Sequence, residues 1–256
     1  MGALPSADRA LVLGWISSLS RLGAFPTSFR RARRRRRMTS LDEAVRGPDE
    51  MMALLESKMP SKKDHWKRVA YYAGLIAGKL GLGGTEREAI TRAASFMDVG
   101  MLEVMERLGR SLEEAGELGE EEREILRMHP LWSERMLSLY GFDSHTLSLV
   151  RHHHEWWNGK GYPDGLAGEE IPLGARILGV ADAFVAMTSW RTYRATLGAR
   201  EALRELYACR GTQFDPQVVK VFLSLMTPRV YGMERDAADR EDLELLREIT
   251  GLAWED

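Results

Sequence analysis

The chain has 256 residues, of which 44% are hydrophobic and 29% charged, with a formal net charge of −2. That length suffices for one large or two small domains with a buried core. A single cysteine, Cys209, excludes an intrachain disulfide framework and fits a reducing compartment, the cytoplasm. Charge is unevenly spread: residues 1–37 hold nine Arg and one Asp, a net of +8, and the remainder carries −10, which argues against a nucleic-acid-binding body.

Residues 1–37 form a separate basic extension. The apolar run 10–16 is well below the roughly 20 residues that a bilayer span needs. The arginine block of residues 30–37 follows that run, the reverse of a secretory signal. The segment reads as disordered, with Met38 as an alternative first residue; the rival reading is an amphipathic anchor for a membrane or polyanion. Residues 38–60 form a lead-in, in which Ser40 or Asp42 opens a helix toward Met59 and Gly47-Pro48 interrupts it.

The main domain spans 61–226, starting at Pro60 and Ser61. From Asp64, Val69, Tyr72, Leu75, Ile76 and Leu80 recur at helical spacing until Gly81, Gly83 and Gly84 stop the pattern. Thr85-Glu86-Arg87-Glu88 reads as a capping box for a helix through Ile90, Ala93, Ala94 and Met97. Residues 120–126 are acidic and helical, and Pro130 marks a new start. Ser144 is expected to cap a helix that delivers the chain to Arg151. Pro172 belongs to the first turn of a helix running to about Ser189. Two further helical patterns cover 199–209 and 216–226, with Asp215 capping the second. The tail, 227–256, carries Leu243, Leu246, Ile249 and Leu252 at helical spacing; it packs on the domain or, alternatively, forms a homodimer contact. Nothing alternates with period two for long, so the domain is all-α.

The stretch of residues 151–164, RHHHEWWNGKGYPD, holds three of the six histidines in a row before a loop of Asn158, Gly159, Gly161, Pro163 and Asp164. Neutral imidazole is the commonest protein metal ligand, and histidines beside a Gly/Pro turn line pockets better than they fill cores. His65, Asp98, His129 and Asp182 are further candidate ligands, each on a different predicted helix or helix end.

In ordered succession, His153-His154-Glu155, Gly161-Tyr162-Pro163-Asp164-Gly165, Glu170-Ile171-Pro172-Leu173, Val180-Ala181-Asp182-Ala183-Phe184, Met187-Thr188-Ser189 and Gly211-Thr212-Gln213-Phe214-Asp215-Pro216 resemble the HD-GYP domains. These are bacterial metal-dependent phosphodiesterases whose usual substrate is cyclic di-GMP. The resemblance implies an HD-domain helical bundle. It implies one metal on Asp98, His129, His153 and His154, and another on His65, the 97 position, Asp98 and Asp182. Asp98 is then the bridging, catalytic carboxylate. The metal is expected to be Fe or Mn. Lys160, Tyr162, Arg191 and Arg194 are implied contacts to a cyclic dinucleotide, with the loop presenting an exposed aromatic. Glu155 is expected to orient a ligand histidine, Trp156 and Trp157 to pack, and His145 and His152 to stay outside the metal set.

The chain departs from the family at three places, one of them Val185, where many relatives have a second carboxylate. Met97 stands where the family has its namesake histidine, and Met101 where it has a lysine. A thioether is a poor ligand for hard or borderline cations. One well-formed metal site and a second weak or vacant one are therefore expected. The resemblance implies hydrolysis of cyclic di-GMP or a related dinucleotide. The rival expectations are a binding module that holds the dinucleotide or a protein partner without hydrolysing anything, and a phosphohydrolase acting on another nucleotide.

Overall fold

A computed structural model describes residues 46–62, 64–112, 118–189 and 197–231. The basic extension, the expected helix start at Ser40 or Asp42, Arg191, Arg194 and the C-terminal amphipathic tail lie outside the described residues. Within them the chain is helical, and two isolated bridges, Asn158 with Ala167 and Arg210 with Phe214, are the extended pairings. No helix among the described residues is long and apolar enough to cross a membrane.

Helix α1 is Pro48–Lys58, and it starts on the proline that the sequence suggested as a break. Proline suits this place because the first turn has no intrahelical acceptor to lose. Met51 and Leu55 of α1 join the common core. A short 3-10 turn, Pro60–Lys62, leads to α2, His65–Lys79. Helix α3 is Gly84–Phe96 and α4 is Met101–Leu108. The expected Thr85 capping box is absent: Gly83 takes the cap position without a side-chain bond, and Thr85 is already helical. Helices α5, Glu120–Arg127, and α6, His129–Ser138, follow each other directly. In α7, Ser144–His152, the cap is Asp143, whose carboxylate accepts the Thr146 N–H at 2.8 Å, and Ser144 is the first helical residue. A carboxylate is also the better partner for the helix N-terminal dipole.

Helix α8, Leu173–Thr188, is apolar nearly all round, and it forms the centre of the domain. Ile177, Leu178, Val180, Ala181, Phe184 and Val185 are buried, and α8 packs on α2, α3, α7, α9 and α10. Helices α9, Ala199–Ala208, and α10, Pro216–Tyr231, close its far side. Phe184 meets Tyr72 at 5.1 Å and Phe222 at 5.0 Å between ring centroids, all edge-on, the geometry that aromatic quadrupoles favour. The cluster fixes α8 two residues from Asp182. Asp215 caps α10 as expected, accepting from Gln217 N at 2.7 Å, and it also binds Arg176 Nη1 of α8 at 2.6 Å.

Candidate metal centre

Asp98 lies in the turn between α3 and α4, and Gly100 makes its placement. A Cβ on Gly100 would sit 2.2 Å from the carbonyl oxygen of His129 and 2.6 Å from the Ser133 nitrogen. Glycine instead lets the turn dock on the start of α6, where its N–H donates to Ser133 Oγ at 2.8 Å. His129 is the first residue of α6 and His153 the C-terminal cap of α7, and α6 packs directly on α7. Metal-capable atoms of Asp98, His129, His153 and His154 lie within 4.8 Å of one another.

The hydrogen bonds decide which nitrogens are free. His129 Nδ1 is 2.8 Å from the Leu126 carbonyl and His153 Nδ1 is 2.6 Å from the Val150 carbonyl. A carbonyl only accepts, so both Nδ1 atoms carry the ring proton and both Nε2 atoms present lone pairs when the rings are neutral. Those two Nε2 atoms stand 3.4 Å apart. Asp98 Oδ1 is 3.3 Å from the first and 3.8 Å from the second. Burial lowers the His129 and His154 pKa values, against the pull of Asp98. Burial would raise that of Asp98, but the Lys62 charge and the two histidine contacts take it well below the usual carboxylate range. The result is a buried carboxylate facing neutral imidazole lone pairs, with acceptors converging on one another. Such a set fits one divalent cation, and the backbone bonds to Nδ1 fix the tautomers a metal needs.

The rest of the expected ligands are arranged differently. Met97 is fully buried in the apolar core. His65 Nε2 bonds Asp182 Oδ1 directly at 3.0 Å. Asp98 Oδ2, the oxygen turned away from His129, accepts the Trp66 indole N–H at 3.0 Å and lies 3.4 Å from Lys62 Nζ. The sequence reading missed both residues. Trp66 adjoins His65 and is readable as a neighbour of the site. Lys62 is not, because its approach to Asp98 is a contact between positions 36 residues apart in the chain.

Glu155 corrects a second expectation. It touches no histidine; its Oε1 accepts the N–H groups of Asp164 at 2.6 Å and Gly165 at 3.0 Å, so it shapes the loop. Burial pushes its pKa up to about 7 despite those bonds. Gly161 is required here, since a Cβ would lie 2.2 Å from the Trp156 nitrogen. Tyr162 is buried rather than exposed and stacks on His154 at 5.0 Å, packing the ligand ring in place. Lys160 is exposed on the same loop. His152 binds Asp164 at 3.0 Å and His145 binds Glu86 at 2.9 Å, both away from the cluster.

A cleft of about 800 Å³, counted to its open mouth, runs from His153, His154 and Asp182 past Trp156 and Trp157 to Phe214. The two tryptophans, expected only to pack, line this cleft, and Arg176 lies over the Trp157 ring at 5.7 Å. Arg68 donates to Thr188 Oγ1 at 3.0 Å and Ser189 Oγ at 2.8 Å, fixing the end of α8.

The buried histidines make the metal-free protein acid-sensitive. His65, His129 and His154 have folded pKa values lowered from 6.5. Below that value the unfolded chain binds protons that the folded chain refuses, so stability is full above it and falls as pH drops through it. Each such group costs up to about 1.4 kcal/mol per pH unit. Urea titration of the metal-free protein should give a clearly lower unfolding free energy at pH 5.5 than at pH 7.5. Equal values would mean that these rings are protonated in the folded chain.

Comparison with known proteins adds the following. A family model described as HD domain matches residues 49–218. The chain is 38% identical over 161 residues to the cyclic di-GMP phosphodiesterase response regulator RpfG of Xanthomonas campestris pv. campestris, covering 61% of this chain and 41% of that protein. It is 36% identical over 176 residues to a cyclic di-GMP phosphodiesterase of Thermotoga maritima, covering 67% and 47%. The chain thus spans less than half the length of these two relatives. Among solved structures, a cyclic GMP-AMP specific phosphodiesterase of V. cholerae superimposes with a TM-score of 0.55 at 20% identity, over 80% of this chain and 58% of that one. An HDG"Y"P protein of Bdellovibrio bacteriovorus does so with 0.52 at 19% identity, over 64% and 51%. At those identities the structural matches speak for the helical fold.

Proposed function

The chain belongs to the HD-domain family, and from that premise we propose that it is a metal-dependent phosphodiesterase acting on cyclic di-GMP or a related cyclic dinucleotide. The observation that carries this reading is the convergence of Asp98, His129, His153 and His154 on one point at the inner end of an open cleft. The relatives named as cyclic di-GMP phosphodiesterases support the substrate class.

In this reading the four residues hold a divalent cation, with iron or manganese suited to an imidazole and carboxylate set. The cation supplies polarisation of a phosphoryl oxygen and acidification of a water. The chain supplies the rest. Asp98 and the three imidazoles, locked by Leu126, Val150 and the Tyr162 ring, hold the centre rigid. Trp156 and Trp157 give the bases apolar wall. Arg191 and Arg194 follow the residues that Arg68 clamps, and we assign them the distal phosphate, which a guanidinium fork suits. Hydrolysis adds water at phosphorus and releases the ester oxygen with a proton. Residues 61–226, with α1 packed beneath them, are the unit we take to do this. A cytoplasmic setting accords with the single cysteine.

Purified full-length chain, reconstituted anaerobically with Mn(II) or Fe(II), is expected to convert cyclic di-GMP to pGpG or GMP, followed by product chromatography. Stripping the metal with a chelator should end turnover and readdition should restore it. No product from protein shown to hold metal would overturn hydrolysis and leave a dinucleotide-binding module as the reading.

A further inference from the structure

The unexpected feature of the centre is what surrounds the second oxygen of Asp98. A carboxylate that bridges two cations in the bidentate mode offers one oxygen to each. Here Oδ1 faces the Nε2 atoms of His129 and His153, but Oδ2 is engaged from two sides by this chain. The Trp66 N–H donates to it at 3.0 Å, and the Lys62 ammonium lies 3.4 Å away. Both groups are enclosed: Trp66 is buried, and the Lys62 side chain is 11% exposed. They also support each other, since Lys62 Nζ stands 5.9 Å from the Trp66 ring centroid, within cation–π range. The left-handed residue Asp64 lies between the Lys62 turn and the start of α2.

The other donors on that side agree. His65 and Asp182 bond each other at 3.0 Å instead of opening toward a shared point, and Met97 is withdrawn into the core. A divalent cation on Oδ2 would have to displace an indole N–H, sit against a buried ammonium and break a histidine–carboxylate bond. At this range the ammonium repels a divalent cation directly, and burial weakens the solvent screening between them.

We propose that Lys62, seated by Trp66, is a permanent cation on the Oδ2 side of Asp98, so that the centre takes a single divalent metal and carries a fixed monovalent charge in place of a second one. Lys62 is then a charge-bearing residue: it supplies positive charge on the Oδ2 flank of the centre at a cost in metal affinity, while the Trp66 N–H holds the Asp98 carboxylate in place. That charge comes from a different element than Met101, the place where a lysine was expected; Met101 is buried in α4. The inference rests on the reading of the cluster as a metal site and is independent of which phosphodiester, if any, is hydrolysed.

The test counts metal. Full-length protein is dialysed to equilibrium against Mn(II), and Mn per chain is measured by plasma mass spectrometry, with electron paramagnetic resonance reporting whether ions are paired. The wild-type chain should hold one ion with an uncoupled six-line spectrum. Two ions per chain, or a spin-coupled pair, would overturn the proposal. No bound ion would overturn it too, and would count against the metal reading itself, whereas failure of dinucleotide hydrolysis with one ion bound touches only the function. A second measurement separates charge from scaffolding. Lys62→Met keeps the length of the side chain and removes the charge. It should tighten Mn(II) binding at least about tenfold, because repulsion toward the incoming ion is gone. A lysine that merely propped up Asp98 would weaken binding on removal. Unchanged or weaker affinity in a folded Lys62→Met protein would therefore overturn the charge-substitution role.

Discussion

Asp98→Asn is expected to lose metal binding by more than about 100-fold, beyond the range seen when a hydrogen-bond partner of a ligand is removed. The substitution preserves shape and alters one thing, the negative charge on which the centre depends. In the cluster of Asp98, His129, His153 and His154, Asp98 is the sole anion. The asparagine amide brings a further penalty, since its N–H can donate to the imidazole lone pairs and satisfy them without a cation. Turnover of cyclic di-GMP should fall on the order of 10³-fold, as when a preorganised electrostatic group is removed from an active centre. Stability should fall as well. Lys62 would keep its enclosed position 3.4 Å from an oxygen that no longer bears charge, and stranding one partner of a buried pair costs about 3 kcal/mol or more. Metal titration, product chromatography and urea unfolding check the three effects separately. A variant that keeps metal affinity within about threefold of wild type, well inside the effect expected of a lost ligand, would show that Asp98 is no ligand.

Gly100→Ala should be nearly as damaging, from a methyl group alone. The backbone of Gly100, at φ −63° and ψ −12°, is one that alanine adopts freely, so conformational strain plays no part. The obstacle is contact: the new Cβ would meet the His129 carbonyl oxygen at 2.2 Å and the Ser133 nitrogen at 2.6 Å. These are backbone atoms in a helix and cannot swing aside. The α4 turn must lift off α6, and Asp98 goes with it. Overpacking of this kind costs about 3 kcal/mol or more, which lowers the melting temperature by roughly 6–12 °C in a domain of this size. Bound metal should fall in parallel. Gly74→Ala is the matched control, since Gly74 lies within α2 and a Cβ there meets nothing within 4 Å. It should be neutral, or stabilising by about 0.5–1 kcal/mol through helix propensity. Equal melting temperatures for the two variants would refute the close approach at Gly100.

The helical fold and the gathering of Asp98 with His129, His153 and His154 were readable in the sequence for a common reason. Both are written in local patterns: apolar spacing for the helices, and short fixed strings such as His153-His154-Glu155 for the ligands. What escaped is set by contact across distance. Lys62 meets Asp98 across 36 residues of chain, beside the buried ring of Trp66. Glu155 was expected beside a histidine because it follows two of them, yet its carboxylate turns to the amides of Asp164 and Gly165. Tyr162 sits in a loop string that suggests display, and its ring is instead buried against His154. The helix starts misplaced by one residue at Ser144 and by two at Thr85 show the same limit. Asp and Ser compete for one cap, and Gly83 supplies an extended cap without any side chain.

The gathering of His129, His153 and Asp98 on one point has a consequence for the lifetime of the chain in a cell. Bringing those lone pairs together opposes folding until a cation arrives, so on the proposed reading the metal is part of what keeps the domain closed to proteases. At a free concentration about 100 times the dissociation constant it contributes about 2.7 kcal/mol to the folded state. That is enough to change the unfolded fraction, and with it the degradation rate, roughly 100-fold. The abundance of this protein would then follow the supply of its metal, rising in replete cells and falling in starved ones with no change in synthesis.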